Sequence, residues 1–135
     1  MASALDGFVG HHHARLIADP PVQEVDGTLL FADVSGFTAL NERLAARGAE
    51  GAELMVAVLD AVFGAVLAEA ATVGGDLLKF GGDAVLLLFD GDDHAHRAAM
   101  AALRIQAVIR RRTDAHRAIG RVSIGMSVGM ESGPV

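Results

Sequence analysis

Cysteine, tryptophan and tyrosine are absent from this chain of 135 residues, and phenylalanine alone provides its 4% aromatic content. Without cysteine the chain can form neither a disulfide nor a thiol-dependent site, which fits a reducing compartment such as the cytoplasm. No uninterrupted apolar run reaches the roughly eighteen residues of a membrane span, and the N-terminus lacks a signal-peptide pattern. We therefore expect a cytoplasmic location and no membrane partner.

Positive charge is also scarce, since 11 Lys and Arg stand against 17 Asp and Glu, for a net charge of -6. Binding to nucleic acid requires a basic face, so no nucleic-acid partner is expected. The run Arg110-Arg111-Arg112 is the one exception. It falls near the end of a predicted helix, where cations suit the helix dipole, and this favours a solvated helix end.

Apolar residues are abundant, at 52% of the chain, and the mean hydropathy is +0.40. At this length the chain can build one domain around one core. Residues 1–25 show no sustained periodicity and contain Pro20-Pro21, so we predict a flexible N-terminal arm that includes His11-His12-His13. Residues 26–135 form the predicted domain.

The remaining sequence predicts four strands and three helices. A buried strand at Thr28–Val34 leads into a helix that Ser35 caps and Gly48 ends, and a second helix spans Glu50 to Thr72. The later elements are a hairpin of Leu77–Phe80 and Ala84–Phe89 around Gly81-Gly82-Asp83, a helix from His94 to His116 with Arg97, Arg104 and Arg111 outward, and a strand at Arg121–Gly129. This order predicts an α+β, ferredoxin-like βααββαβ fold with helices on one face of a mostly antiparallel sheet.

The second predicted helix is apolar around most of its circumference. Such a helix is buried on more than one side. We expect one side to cover the sheet and another to meet a partner.

Two carboxylates lie at the ends of apolar strands. Asp33 precedes the turn Ser35-Gly36, and Asp83 follows Gly81-Gly82 in the hairpin. If the first strand lies beside the hairpin, both carboxylates meet at one edge of one sheet. Two carboxylates beside a strand-to-helix turn rich in free N–H groups suit hard divalent cations and a polyphosphate, which indicates a nucleotide site.

Both segments resemble motifs of the class III nucleotidyl cyclases. Phe31-Ala-Asp-Val-Ser-Gly-Phe-Thr38 is similar to the first metal motif of that family, and Gly74–Phe89 is similar to the second. The residues of both motifs most resemble those in the first catalytic half of the soluble, bicarbonate-responsive type. The resemblance implies a cytoplasmic adenylate or guanylate cyclase domain from about Asp26 to Val135, incomplete at its C-terminus.

By this resemblance, Asp33, Asp83 and the Val34 carbonyl would bind two Mg²⁺ or Mn²⁺ ions. The backbone N–H groups of Ser35, Gly36, Phe37 and Thr38, with the Thr38 hydroxyl, would hold the β- and γ-phosphates. The implied reaction converts ATP to cyclic AMP and pyrophosphate by a two-metal mechanism.

Lys79 matches the position that reads adenine in adenylate-forming members, where guanylate-forming members usually carry an acid. Because lysine donates to adenine N1 whereas guanine presents a donor at that edge, the expected substrate is ATP rather than GTP. A surface lysine at a strand end is the structural alternative.

The family pattern continues into an Asn-and-Arg motif that this sequence does not reach before Val135. The resemblance therefore implies that this chain supplies only the metal half of an interfacial site, completed by a second cyclase domain as a homodimer or heterodimer. One alternative is a non-catalytic regulatory half that binds nucleotide or a small anion. A diguanylate cyclase is less favoured, because Ala84 stands where that family uses an acid.

Overall fold

A computed structural model describes residues 24–115 and 124–135 of the chain. In chain order the elements are β1 (Asp26–Ser35), α1 (Phe37–Ala45), α2 (Ala49–Ala71), β2 (Asp76–Gly81), β3 (Ala84–Asp90), α3 (His94–Ala115) and β4 (Gly125–Pro134). The strands form one antiparallel sheet in the order β2-β3-β1-β4. The predicted α+β class and the βααββαβ order are confirmed.

Strand β1 lies inside the sheet, between β3 and β4, and only one of its faces is covered. Leu30, Ala32 and Val34 are buried, whereas Phe31 between them keeps 49% of its surface exposed. Side chains alternate between the two faces of a strand, and the helices pack on the face of Leu30. The predicted burial of this strand therefore holds for one face only. On the other face, formed by Leu29, Phe31 and Leu86 and called the open face below, no helix of the described residues packs.

Helix α2 is the longest element and supplies much of the core, with Val58, Val62 and Val66 buried. Its end agrees with the prediction: Gly74 has a φ of 76°, and the Gly75 N–H donates to the Ala70 carbonyl at 2.9 Å. By length and composition α2 could cross a membrane, although charged residues interrupt its apolar sequence. In this fold its apolar residues pack against the core instead.

Helix α3 buries Ala98, Ile105 and Ile109, and Arg104 and Arg111 are exposed as predicted. The prediction for Arg97 is wrong, because this side chain binds neighbouring backbone carbonyl groups rather than pointing outward.

The Arg97 guanidinium donates to four backbone carbonyl groups. Two belong to the loop before β2, at 3.1 Å from Val73 and 3.3 Å from Gly74. The others are Asp92, at 3.0 Å, and Asp90. One side chain thus joins both ends of the β2–β3 hairpin, and it uses the fork of donors that only arginine has.

Strand β4 corresponds to the last predicted strand, and side chains alternate at its start: Ile124, just before the strand, and Met126 are buried, and Ser127 is exposed. It continues past the predicted end at Gly129 as far as Pro134, since it pairs with β1 along its whole length. The arm up to residue 23 with His11-His12-His13, the helix end at His116 and the strand start at 121–123 lie outside the described residues. Val25 is described, and it exchanges two backbone hydrogen bonds of 2.9 Å with Val135.

Candidate nucleotide and metal site

The register of β1 against β3 brings the two predicted carboxylate positions to the same edge of the sheet. Asp33 lies opposite Ala84, and Asp83 is the residue just before Ala84. In addition, the Val34 N–H donates to the Asp83 carbonyl at 2.9 Å. The structure therefore brings Asp33, Val34 and Asp83 together, and both carboxylates lie at partly exposed positions that a ligand can reach.

The tight turn of the hairpin determines where Asp83 lies. Gly81 pairs with Ala84, so the loop consists of Gly82 and Asp83 alone. Gly82 has a φ of 70°, which a two-residue hairpin loop of the type II′ kind requires at its first position and glycine adopts without strain. Asp83 is consequently held at the tip of a short loop rather than on a long mobile one.

The turn between β1 and α1 differs from the prediction that Ser35 caps the helix. Gly36 is the N-cap residue, with a φ of 84°, and no side chain in the described part of the chain caps α1. Ser35 still belongs to β1, where it pairs with Gly125. The prediction is wrong because pairing with β4 keeps Ser35 extended, and the chain turns one residue later at a glycine that tolerates positive φ.

An uncapped helix start is available to an anion. The first N–H groups of any α-helix lack partners within the helix, and α1 has neither a capping side chain nor an acidic residue in its first turn. The exposed Thr38 lies in that first turn. Ser35, Gly36, Phe37 and Thr38 therefore form a turn whose backbone can accept a phosphate beside Asp33.

Gly125 is a residue of this site that the sequence reasoning did not single out. A Cβ atom at this position would lie 2.5 Å from the Ser35 Oγ, so the absence of a side chain leaves room for Ser35 at the end of β1. The only signal in the sequence was a glycine inside an otherwise regular strand pattern, which indicates close approach of another group.

Lys79 shares a sheet face with Asp33. It lies opposite Leu86 of β3, and Leu86 lies opposite Phe31 of β1. Residues directly opposite on antiparallel strands share a face, and Asp33 is two residues beyond Phe31 on that same face. Lys79 is exposed and is the only lysine in the chain, so it is the one amine that a ligand on the open face would meet from this sheet.

The donor set at this edge suits a particular kind of metal site. Within residues 24–115 and 124–135 no group of three or more His, Cys, Asp or Glu side chains could hold a metal ion. Two carboxylates alone are too few for a closed protein cage, but they match the way Mg²⁺ binds through one or two carboxylates plus substrate phosphates. The residues present therefore fit a divalent ion that arrives with a polyphosphate.

His94 lies away from this site, near the opposite end of β1. Its Nδ1 is 2.7 Å from the hydroxyl of the buried Thr28, which is also 2.7 Å from the Ser132 hydroxyl. Its Nε2 is 3.9 Å from an Asp26 carboxylate oxygen. These contacts join the start of α3 to β1 and β4, a structural network that the sequence pattern did not reveal.

Comparison with known proteins finds similarity to nucleotide cyclases. No family model matches the chain. It is 43% identical over 72 residues to adenylate cyclase type 10 of Oryctolagus cuniculus, which is 52% of this chain and 4% of that protein. The chain thus spans only a small part of this curated relative.

Solved structures agree over more of the chain. The guanylyl cyclase Cya2 has a TM-score of 0.70 and 28% identity, with 84% of this chain and 56% of that chain covered. The adenylyl cyclase CyaB from P. aeruginosa shares the fold, with a TM-score of 0.71, 24% identity and coverage of 83% and 58%. With the paired motifs at one sheet edge, these likenesses support the resemblance of this chain to the class III nucleotidyl cyclase catalytic domains.

Proposed function

We propose that this chain supplies the metal- and phosphate-binding half of an adenylate cyclase active site, which converts ATP to cyclic AMP and pyrophosphate. The observation that supports this most is the hydrogen bond of 2.9 Å between the Val34 N–H and the Asp83 carbonyl. This bond joins the two motifs beside the groups that would bind a metal–triphosphate complex, which are the Asp33 and Asp83 carboxylates and the Val34 carbonyl.

In this proposal Asp33, Asp83 and the Val34 carbonyl hold two Mg²⁺ or Mn²⁺ ions. When bound, such ions lower the pKa of the ribose 3′-hydroxyl and stabilise the charge that grows on pyrophosphate. The uncapped start of α1, from Ser35 to Thr38, orients the β- and γ-phosphates through backbone N–H groups. In this proposal these residues together position the α-phosphate.

The substrate proposal rests on Lys79. The relatives include both adenylate and guanylyl cyclases, so likeness alone does not choose the base. A lysine at this position donates a hydrogen bond to adenine N1, whereas guanine presents a donor there and would be repelled. ATP is therefore the proposed substrate, and a second cyclase domain, from another copy or another chain, completes the site.

Isothermal titration calorimetry with ATP tests the proposal. We expect ATP binding that depends on Mn²⁺ and is lost in Asp33→Ala and in Asp83→Ala, because each change removes a hard oxygen ligand. Asp60→Ala, which removes an exposed carboxylate from α2, is the matched control and should bind as the unchanged chain does. Circular dichroism should show all three variants folded.

The two-metal assignment would be overturned if, with Mn²⁺ present, the Asp33→Ala and Asp83→Ala variants bound ATP as tightly as the unchanged chain does. ATP binding that needs no divalent ion would instead favour the regulatory half that binds nucleotide without catalysis.

A further inference from the structure

The pairing of β2 with β3 contains an irregularity next to Lys79. Leu77 lies opposite Leu87, but Lys79 already lies opposite Leu86. Leu78 is therefore an extra residue in β2, which makes this position a β-bulge. Bulges of this kind redirect the side chains that follow them, and they are frequent next to functional sites.

The bulge decides which face of the sheet receives Lys79. Leu87 is fully buried beneath the helices, so its partner Leu77 faces the helices as well. Strict alternation from Leu77 would turn the next but one residue, Lys79, toward the helices too. With Leu78 inserted, Lys79 instead shares the open face with Leu86 and Asp33.

Phe80 follows Lys79 and contacts helix α2. It lies opposite the fully buried Val85, and its ring packs edge-on against the ring of Phe63 in α2, with centroids 5.7 Å apart and planes at 81°. Edge-to-face packing of this kind is a favoured aromatic geometry. Among the described strands β2 pairs only with β3, so the contact with α2 restrains β2 beyond what strand pairing provides.

We infer that Phe80, together with the bulge at Leu78, is a positioning residue that holds Lys79 on the face of Asp33 and so enables the chain to discriminate between bases. The discrimination rests on the proposed function, whereas the position of Lys79 does not. Phe80 itself would touch neither nucleotide nor metal. Its effect would pass through the direction of the preceding residue, Lys79.

The single lysine makes the position measurable without any nucleotide. Reductive methylation with ¹³C-formaldehyde labels the Lys79 amine, and the α-amine of the N-terminus gives a separate signal. In the unchanged chain we expect nuclear Overhauser contacts from the labelled methyl groups to Leu86 or Phe31 on the open face. Phe80→Ala should weaken those contacts and add contacts to Phe63 or exchange broadening, while Phe80→Tyr, which keeps the ring, should restore them.

Affinities for ATP and GTP, measured with Mn²⁺, test the functional consequence. Phe80→Ala should lower the ratio of ATP to GTP affinity by roughly tenfold, toward the ratio of Lys79→Ala, since a site that loses a required donor loses discrimination. In the Lys79→Ala background, Phe80→Ala should leave the ratio unchanged. A purely structural role would weaken both nucleotides equally and leave the ratio as it was.

Two outcomes overturn the inference: Lys79 contacts that stay on the open face in Phe80→Ala, or a ratio that falls in Lys79→Ala but not in Phe80→Ala. A ratio that is unaffected even by Lys79→Ala, or an absence of nucleotide binding, counts against the proposed function. In those cases the nucleotide-free contacts still decide whether Phe80 positions Lys79.

Discussion

At the scale of single residues, the candidate site depends on backbone geometry more than on side-chain contacts. The Val34 N–H and the Asp83 carbonyl form the hydrogen bond that joins the two motifs, and neither group depends on side-chain identity. The side chains at Asp33 and Asp83 are then free to bind a ligand. A site of this kind keeps its shape when a carboxylate is removed, so its variants report on chemistry rather than on folding.

Lys79 offers the clearest residue-scale prediction. In a cyclase assay with a complementary catalytic half present, Lys79→Glu should reduce the preference for ATP over GTP by roughly tenfold or more, because an acceptor replaces a donor at the base edge. Lys79→Arg, which keeps a donor, is the control. If the ratio of ATP to GTP turnover is the same in all three proteins, Lys79 does not read the base.

At the scale of elements, two glycines of α2 have opposite roles. A Cβ on Gly51 would lie 1.7 Å from the Leu44 carbonyl oxygen of α1, whereas a Cβ on Gly64 would meet nothing within 4 Å. Gly51 therefore allows α1 and α2 to approach closely, and it is buried there. Gly64 lies on an exposed side of the same helix and has no such purpose.

Alanine at these two positions should change stability in opposite directions. Gly51→Ala must push α1 away from α2 and should lower the free energy of unfolding by about 1–3 kcal/mol. Gly64→Ala should raise it by about 0.5–1 kcal/mol, since alanine favours the helix and no atom obstructs it. Urea unfolding followed by circular dichroism measures both, and a shift of the same sign in the two variants would contradict this account of the helix contact.

The type and order of every described element could be predicted from the sequence, because each depends on local periodicity and on glycines at its ends. The meeting of Asp33 with Asp83 was also predictable, since a hairpin and a neighbouring strand leave few arrangements. The helix start at Gly36 was not, because the partner strand that keeps Ser35 extended is distant in sequence. The bulge at Leu78 was not predicted either, because the sequence of β2 alone does not show how the strand pairs with β3.

The role of Arg97 shows the same limit. Its spacing along α3 matched that of Arg104, which is exposed, so periodicity placed both on the outer side. Only the fold brings the Val73 and Gly74 carbonyls within its reach. A contact between a helix side chain and a loop that is distant in sequence leaves no periodic pattern.

At the scale of the whole molecule, the uncovered open face predicts association. Leu29 and Leu86 are only partly buried there, and Phe31 is 49% exposed. Apolar surface of this kind favours a partner. We expect the chain alone to self-associate in light scattering and to form no measurable cyclic nucleotide, and we expect a complementary cyclase half to give both a defined pairing and activity.

Two charge substitutions locate the associating surface. Phe31→Lys should shift the chain toward monomer, because it places a charge on the open face. Leu103→Lys is the matched control, since Leu103 is 71% exposed on α3, on the helix side of the sheet, and it should leave association unchanged. A monomeric parent chain, or an equal effect of both substitutions, would show that the open face is not the associating surface.

The central claim is that Asp33 and Asp83 act together on one metal–nucleotide complex, and Mn²⁺ binding measured by electron paramagnetic resonance in the presence of ATP tests it most directly. Asp33→Asn and Asp83→Asn, which keep side-chain shape, should each weaken Mn²⁺ binding by roughly tenfold or more, and the double variant should be little worse than either, because ligands of one site are not additive. Asp60→Asn should have no effect. Mn²⁺ binding that persists in both single variants, or losses that simply add in the double variant, would contradict a shared site.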